Sequence, residues 1–79
     1  MLNAYIAAAL RRAKYEILGD GTFFAEVPGL DGVFANADNL ESCREQLTSV
    51  LEGWVLLGVS LGHEIPPIDG NQILVRKSA

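Results

Sequence analysis

The stretch from Asp20 to Cys43, DGTFFAEVPGLDGVFANADNLESC, sets the narrowest limits on what this chain can fold into. Gly19-Asp20-Gly21 reads as a hairpin turn, because glycine supplies the positive φ that tight hairpins require. Thr22–Val27 then reads as a strand, with Phe23, Ala25 and Val27 on one face and Phe24 and Glu26 on the other. Pro28 closes that strand, since it cannot donate to a ladder. Gly29–Gly32 makes a second connection, Val33–Ala37 a third strand, and Asn39 a helix N-cap. With Tyr15–Leu18 as the first strand, short links on both sides predict an antiparallel meander that feeds a helix.

Outside that stretch the chain supplies one helix before it and most of another after it. Asn3–Ala13 is alanine-rich, starts on a capping residue and ends on Arg11, Arg12 and Lys14, which complement the negative end of the helix dipole. Tyr5, Ile6, Ala9, Leu10 and Ala13 share one apolar face. The second helix carries Leu40, Cys43, Leu47, Val50, Leu51, Trp54, Leu57 and Leu61 at spacings of three and four, a stripe expected to cover the sheet. Glu41, Arg44, Glu45, Thr48 and Glu52 are expected to face outward. Gly53 and Gly58 each cost about 1 kcal/mol against alanine inside a helix; they allow close backbone packing or weaken the last turns. Gly62 is the expected stop. His63–Gly70 reads as a loop with Asp69-Gly70 as its turn, Gln72–Val75 as a short fourth strand and Arg76–Ala79 as a tail.

These elements predict one α+β domain over residues 1–79: an N-terminal helix over 1–13, a β-β-β-α-β core over 14–75 and a tail over 76–79. A 79-residue chain makes a marginal core on its own, so a homodimer or higher oligomer is expected, with the apolar N-terminal helix packing either on its own domain or on a partner.

Charge narrows the function. Between Tyr15 and Val75 all ten acidic residues meet a single base, Arg44, which gives that segment a charge of −9. Such a surface repels phosphate backbones, so the monomer is not expected to bind nucleic acid, and it attracts a basic protein. The same charge also serves plain solubility. The chain has no run of about 20 apolar residues and no signal-peptide order of charges, so no membrane partner is expected. A single cysteine fits a reducing cytoplasm.

The chemistry-bearing residue types form no catalytic or metal-binding pattern in the sequence. His63 stands without a serine or cysteine pattern, and one histidine is too few for zinc. Cys43 sits on the apolar stripe, where a small buried hydrophobe is the simpler reading than a reactive thiol. Asp20, Asp31, Asp38 and Asp69 fall in turns or at a helix start, where aspartate bonds nearby backbone. No glycine pattern forms a phosphate loop. No catalytic residue, metal or cofactor is therefore expected.

The order strand, DG turn, aromatic strand, PGL-x-G connection, strand and capped helix resembles the HicB-like antitoxins of bacterial type II toxin–antitoxin systems. The residues that carry it are Asp20-Gly21, Phe23-Phe24-Ala25-Glu26-Val27, Pro28-Gly29-Leu30-Asp31-Gly32 and Ala35, with Trp54, Gly62, Ile65 and Pro66 fitting the helix end and the loop beyond. It spans about residues 14–75. Ala37 stands where the family often has glycine, Asn39 where it usually has threonine and Ser42 where it usually has glutamate, which removes the reciprocal capping box. The N-terminal helix is an addition to the family's core.

The resemblance implies a partial ribonuclease H-like fold without ribonuclease activity. It implies a partner, a small basic toxin of the HicA type that cleaves mRNA, whose RNA site the antitoxin occludes. Asp31, Glu41 and Glu45 are the candidate partner-binding residues. Many family members carry a C-terminal DNA-binding domain, which the sequence to Ala79 does not contain. An orphan dimeric interaction module of the same fold is the alternative reading, and a metal-dependent hydrolase stands third.

Overall fold

A computed structural model describes residues 2–71. It has the order α1 (Leu2–Arg12), β1 (Lys14–Ile17), β2 (Phe23–Glu26), β3 (Phe34–Ala37) and α2 (Leu40–Ser60). The three strands form an antiparallel sheet in the order β1-β2-β3. The expected α+β meander and long helix are therefore present. The fourth strand expected at Gln72–Val75 and the tail beyond it lie outside the described residues.

Register fixes which side chains share a face. Tyr15 pairs with Ala25 and Ala25 with Ala35 across the sheet. This row, with Val27 and Val33 just past the strand ends, points toward α2 and is buried except for the half-buried Tyr15. The alternate row Glu16, Phe24, Asn36 and the row Lys14, Glu26, Phe34 point the other way. The β2–β3 connection is held by Leu30, which is buried, while Gly29 at φ +89° and Gly32 at φ +87° take the left-handed backbone on either side of it. Leu30 N–H donates to the Val27 carbonyl and Val33 N–H to the Leu30 carbonyl, so the loop is a pair of turns pinned by one apolar plug.

Asn39 caps α2 as expected, its side chain accepting from Ser42 N–H at 2.8 Å. At the other end Gly62, at φ +73°, donates to Val59 O and His63 N–H donates to Gly58 O. That pair is a Schellman motif. Gly58 is packed closely, since a Cβ placed there would lie 2.7 Å from Ile65 Cδ1, whereas the space around Gly53 is open.

The apolar stripe of α2 differs from the expected one. The buried residues are Cys43, Leu47, Leu51 and Val55, spaced by four, with Trp54 packed at the margin. Leu40, Val50, Leu57 and Leu61 are exposed. The cause is geometric. A row spaced by four slants round the helix, whereas the 3-4 row drifts the opposite way. Both rows are apolar in this sequence, and the sheet packs along only one of them. α2 lies under β2 and β3 and does not reach β1, which leaves Ile17 at the turn end exposed.

α1 packs against α2 of its own chain and buries Tyr5, Ile6, Ala8 and Ala9. It begins at Leu2, so Asn3 sits inside the first turn rather than capping it; leucine extends a helix more readily than asparagine does. Tyr5 Oη donates to Pro66 O, and Arg12 makes an ion pair with Asp69. Asp69 (φ +50°) and Gly70 (φ +79°) form a tight turn closed by the reciprocal bonds of Ile68 and Asn71.

Candidate protein-binding face

Among the described residues no helix covers the outer face of the sheet. Its centre is an aromatic pair, Phe24 and Phe34, with ring centroids 6.1 Å apart and planes inclined by 26°. They stand on neighbouring strands in diagonal register, because Phe24 pairs with Asn36 and Phe34 with Glu26. Phe34 is 56% exposed, high for so large an apolar side chain.

Two shallow concavities flank the pair. One, of about 170 Å³, lies between the rings and the β2–β3 connection and includes Glu26 and Asp31 in its wall. The other, of about 340 Å³, runs toward β1 and is lined by Lys14, Tyr15, Glu16, Phe24 and Glu26. Phe24 and Glu26 belong to both. The face is thus an aromatic ridge bordered by Glu16, Glu26 and Asp31, with Lys14 the one base among them. Open hollows of this kind suit a protein surface better than an enclosed small molecule.

Asn36 stiffens the β3 side, donating from Nδ2 to Phe23 O at 2.9 Å and to Thr22 Oγ1 at 3.0 Å. Thr22 is held in turn by Asp20, which accepts from its N–H and its hydroxyl. Those bonds favour the ionised carboxylate and hold the Asp20 pKa below its ordinary value. The aspartate therefore serves the turn, as its sequence position suggests.

The three sequence-predicted partner residues fall into two groups. Asp31 is exposed in the β2–β3 connection and belongs to the outer sheet face. Glu41 and Glu45 lie one turn apart on the exposed side of α2, in the layer beneath the sheet. β3 separates the two groups, with Asp31 before its first residue and Glu41 beyond its last. Sequence reasoning does not single out Phe24, Phe34, Glu16 or Glu26 as partner residues. The strand pattern does put Phe24 and Glu26 together on the outer side, and an outward aromatic beside an outward acid is the available signal.

Other chemistry-bearing residues sit apart. Cys43 is fully buried, its thiol directed at the carbonyl oxygens of Phe23 (3.6 Å) and Ala35 (3.8 Å), and burial raises its pKa. His63 is exposed beyond the end of α2. Among the described residues no three metal-ligating side chains converge, and no helix is long and apolar enough to cross a membrane.

No curated protein matches the sequence. The fold is similar to the crystal structure of TTHA0281 from Thermus thermophilus, with a TM-score of 0.89 and 34% identity over 96% of this chain and 95% of that one. The model of the UPF0150-like family matches residues 4–66, which takes in α1 from Ala4 onward, the whole sheet, α2 and the loop as far as Pro66. By that match, the chain belongs to the UPF0150-like family.

Proposed function

We propose that this protein is a non-catalytic binding module of the HicB antitoxin type, which neutralises a small basic HicA-type mRNA interferase by covering its RNA site. The observation that carries the reading is the outer sheet face, where Phe24 and Phe34 stack in the open between Glu16, Glu26 and Asp31. An RNA-binding surface is rich in lysine and arginine. Such cations gain from ring faces as well as from carboxylates, and an arginine can stack on the first while bonding the second. The excess of acids over the core speeds encounter with a basic partner. Glu41 and Glu45 add to that field from the other layer.

The test is co-expression with the product of a neighbouring short basic reading frame. That product should arrest growth alone, be tolerated with this chain and co-purify with it. Glu26→Lys and Phe34→Ala should each restore toxicity while the variant stays folded by circular dichroism. Binding should weaken as salt rises. A neighbour that is harmless, or toxic but never co-purified, defeats the proposal.

A further inference from the structure

We infer that the C-terminal half of α2 is a self-association surface, on which a second copy of this chain lays the same helix face. Val50, Trp54, Leu57 and Leu61 are spaced by four, three and four, the rhythm of a seam between two helices rather than of a helix lying on a sheet. Apart from Trp54, which packs at the core margin, the row stays outside the core formed by the described residues. Leu57 is 60% exposed, Leu61 59% and Val50 37%, and Trp54 is only half-buried. Gly53 lies beside the row with open space over its Cα, which lets a second backbone come close.

The occupant follows from charge. No charged residue occurs between Glu52 and Glu64, so the strip offers a basic partner nothing to pair with. Gln46, Ser49 and Ser60 border it and are neutral as well. An uncharged apolar strip is complementary to itself, and a two-fold axis through it pairs each copy's row with the other's. α1 is not the occupant, because Tyr5, Ala8 and Ala9 are already buried against their own domain. The strip exposes on the order of 400 Å² per copy, and with its neutral border two copies approach the ~1,000 Å² that marks a specific but small interface. Association is therefore concentration-dependent.

Sedimentation equilibrium of the full chain, from low micromolar to roughly 200 micromolar, reads this directly. The wild type should pass from monomer to dimer. Leu57→Glu and Leu57→Lys should each weaken dimerisation at least tenfold, and mixing the two should restore it, which damage to the fold would not do. Ile17→Glu, exposed in the other layer, should leave the dimer unchanged. Hydrogen exchange of the wild type needs no variant: protection over 53–61 should rise with concentration. A monomer across the whole range overturns the inference, as does a dimer indifferent to both Leu57 variants. So does strong protection of 53–61 that is independent of concentration, which would mean a segment of the same chain covers the strip.

Discussion

The phenol of Tyr5 donates a 2.5 Å hydrogen bond to the carbonyl oxygen of Pro66, across 61 residues of sequence. Tyr5 is fully buried, so this bond and the ring beneath it fasten α1 to the loop that leaves α2. Tyr15 offers the contrast: its phenol oxygen is buried and has no hydrogen-bond partner among the described residues. Tyr5→Phe should cost about 1 kcal/mol, the usual net value of one such bond. Tyr15→Phe should be neutral or slightly stabilising, because it removes an unpaired polar atom. Urea denaturation of the two variants side by side checks both signs.

Arg12 and Asp69 join the same two segments at the surface, and their pairing makes a prediction about pH. The hydrogen bond and charge of Arg12 hold the Asp69 carboxyl below the ordinary aspartate range. Its contribution is therefore complete above that range and is lost as pH falls through it to the lower folded value. Arg12 is raised by the same pair and stays charged throughout. Asp69→Asn is the useful variant, since asparagine also tolerates the positive φ of that turn. The stability difference between wild type and variant should be constant near neutrality, shrink in acid and vanish once the carboxyl is protonated. It should be small, and smaller in high salt, because both partners are exposed.

The two glycines of α2 should respond differently to alanine. Gly53→Ala meets nothing and should gain up to about 1 kcal/mol from helix propensity alone. Gly58→Ala meets Ile65 Cδ1 and should lose most or all of the same gain. Trimming Ile65 to valine in the Gly58→Ala background should recover part of it, so the pair should be non-additive. Thermal melts at low micromolar protein report the protomer and check the order.

Cys43 makes a probe of opening. With the thiol buried and its pKa raised, labelling in the native state should be slow and should require α2 to lift from the sheet. The labelling rate should rise with urea in parallel with unfolding. Fast labelling in native buffer would contradict the burial described.

Much of this architecture can be read from residue types. Asp20-Gly21, Pro28-Gly29 and Asn39 mark local conformations that few other residues adopt, so the turns and the helix start follow from chemistry confined to a few neighbours. The packed side of α2 does not follow. Leu40, Val50, Leu57 and Leu61 are as apolar as Leu47 and Leu51, and only the slant of the sheet decides which row is covered. The outer sheet face is half legible. Phe24 and Glu26 can be placed on it by strand pattern, but the Phe24–Phe34 pair depends on the register of β2 against β3, which no single strand encodes. Charge alone groups Glu41 and Glu45 with Asp31, and β3 holds them apart.

The uncovered side of the sheet has a consequence for how such a protein can change. Glu16, Phe24, Glu26 and Phe34 alternate with the residues that build the core, yet none of the four is needed to fill it. If the face binds as proposed, substitutions at these positions can rewrite partner preference while the scaffold keeps its stability. On the proposed function, two copies of the gene in one cell could in this way drift apart in what they recognise without either passing through an unfolded intermediate.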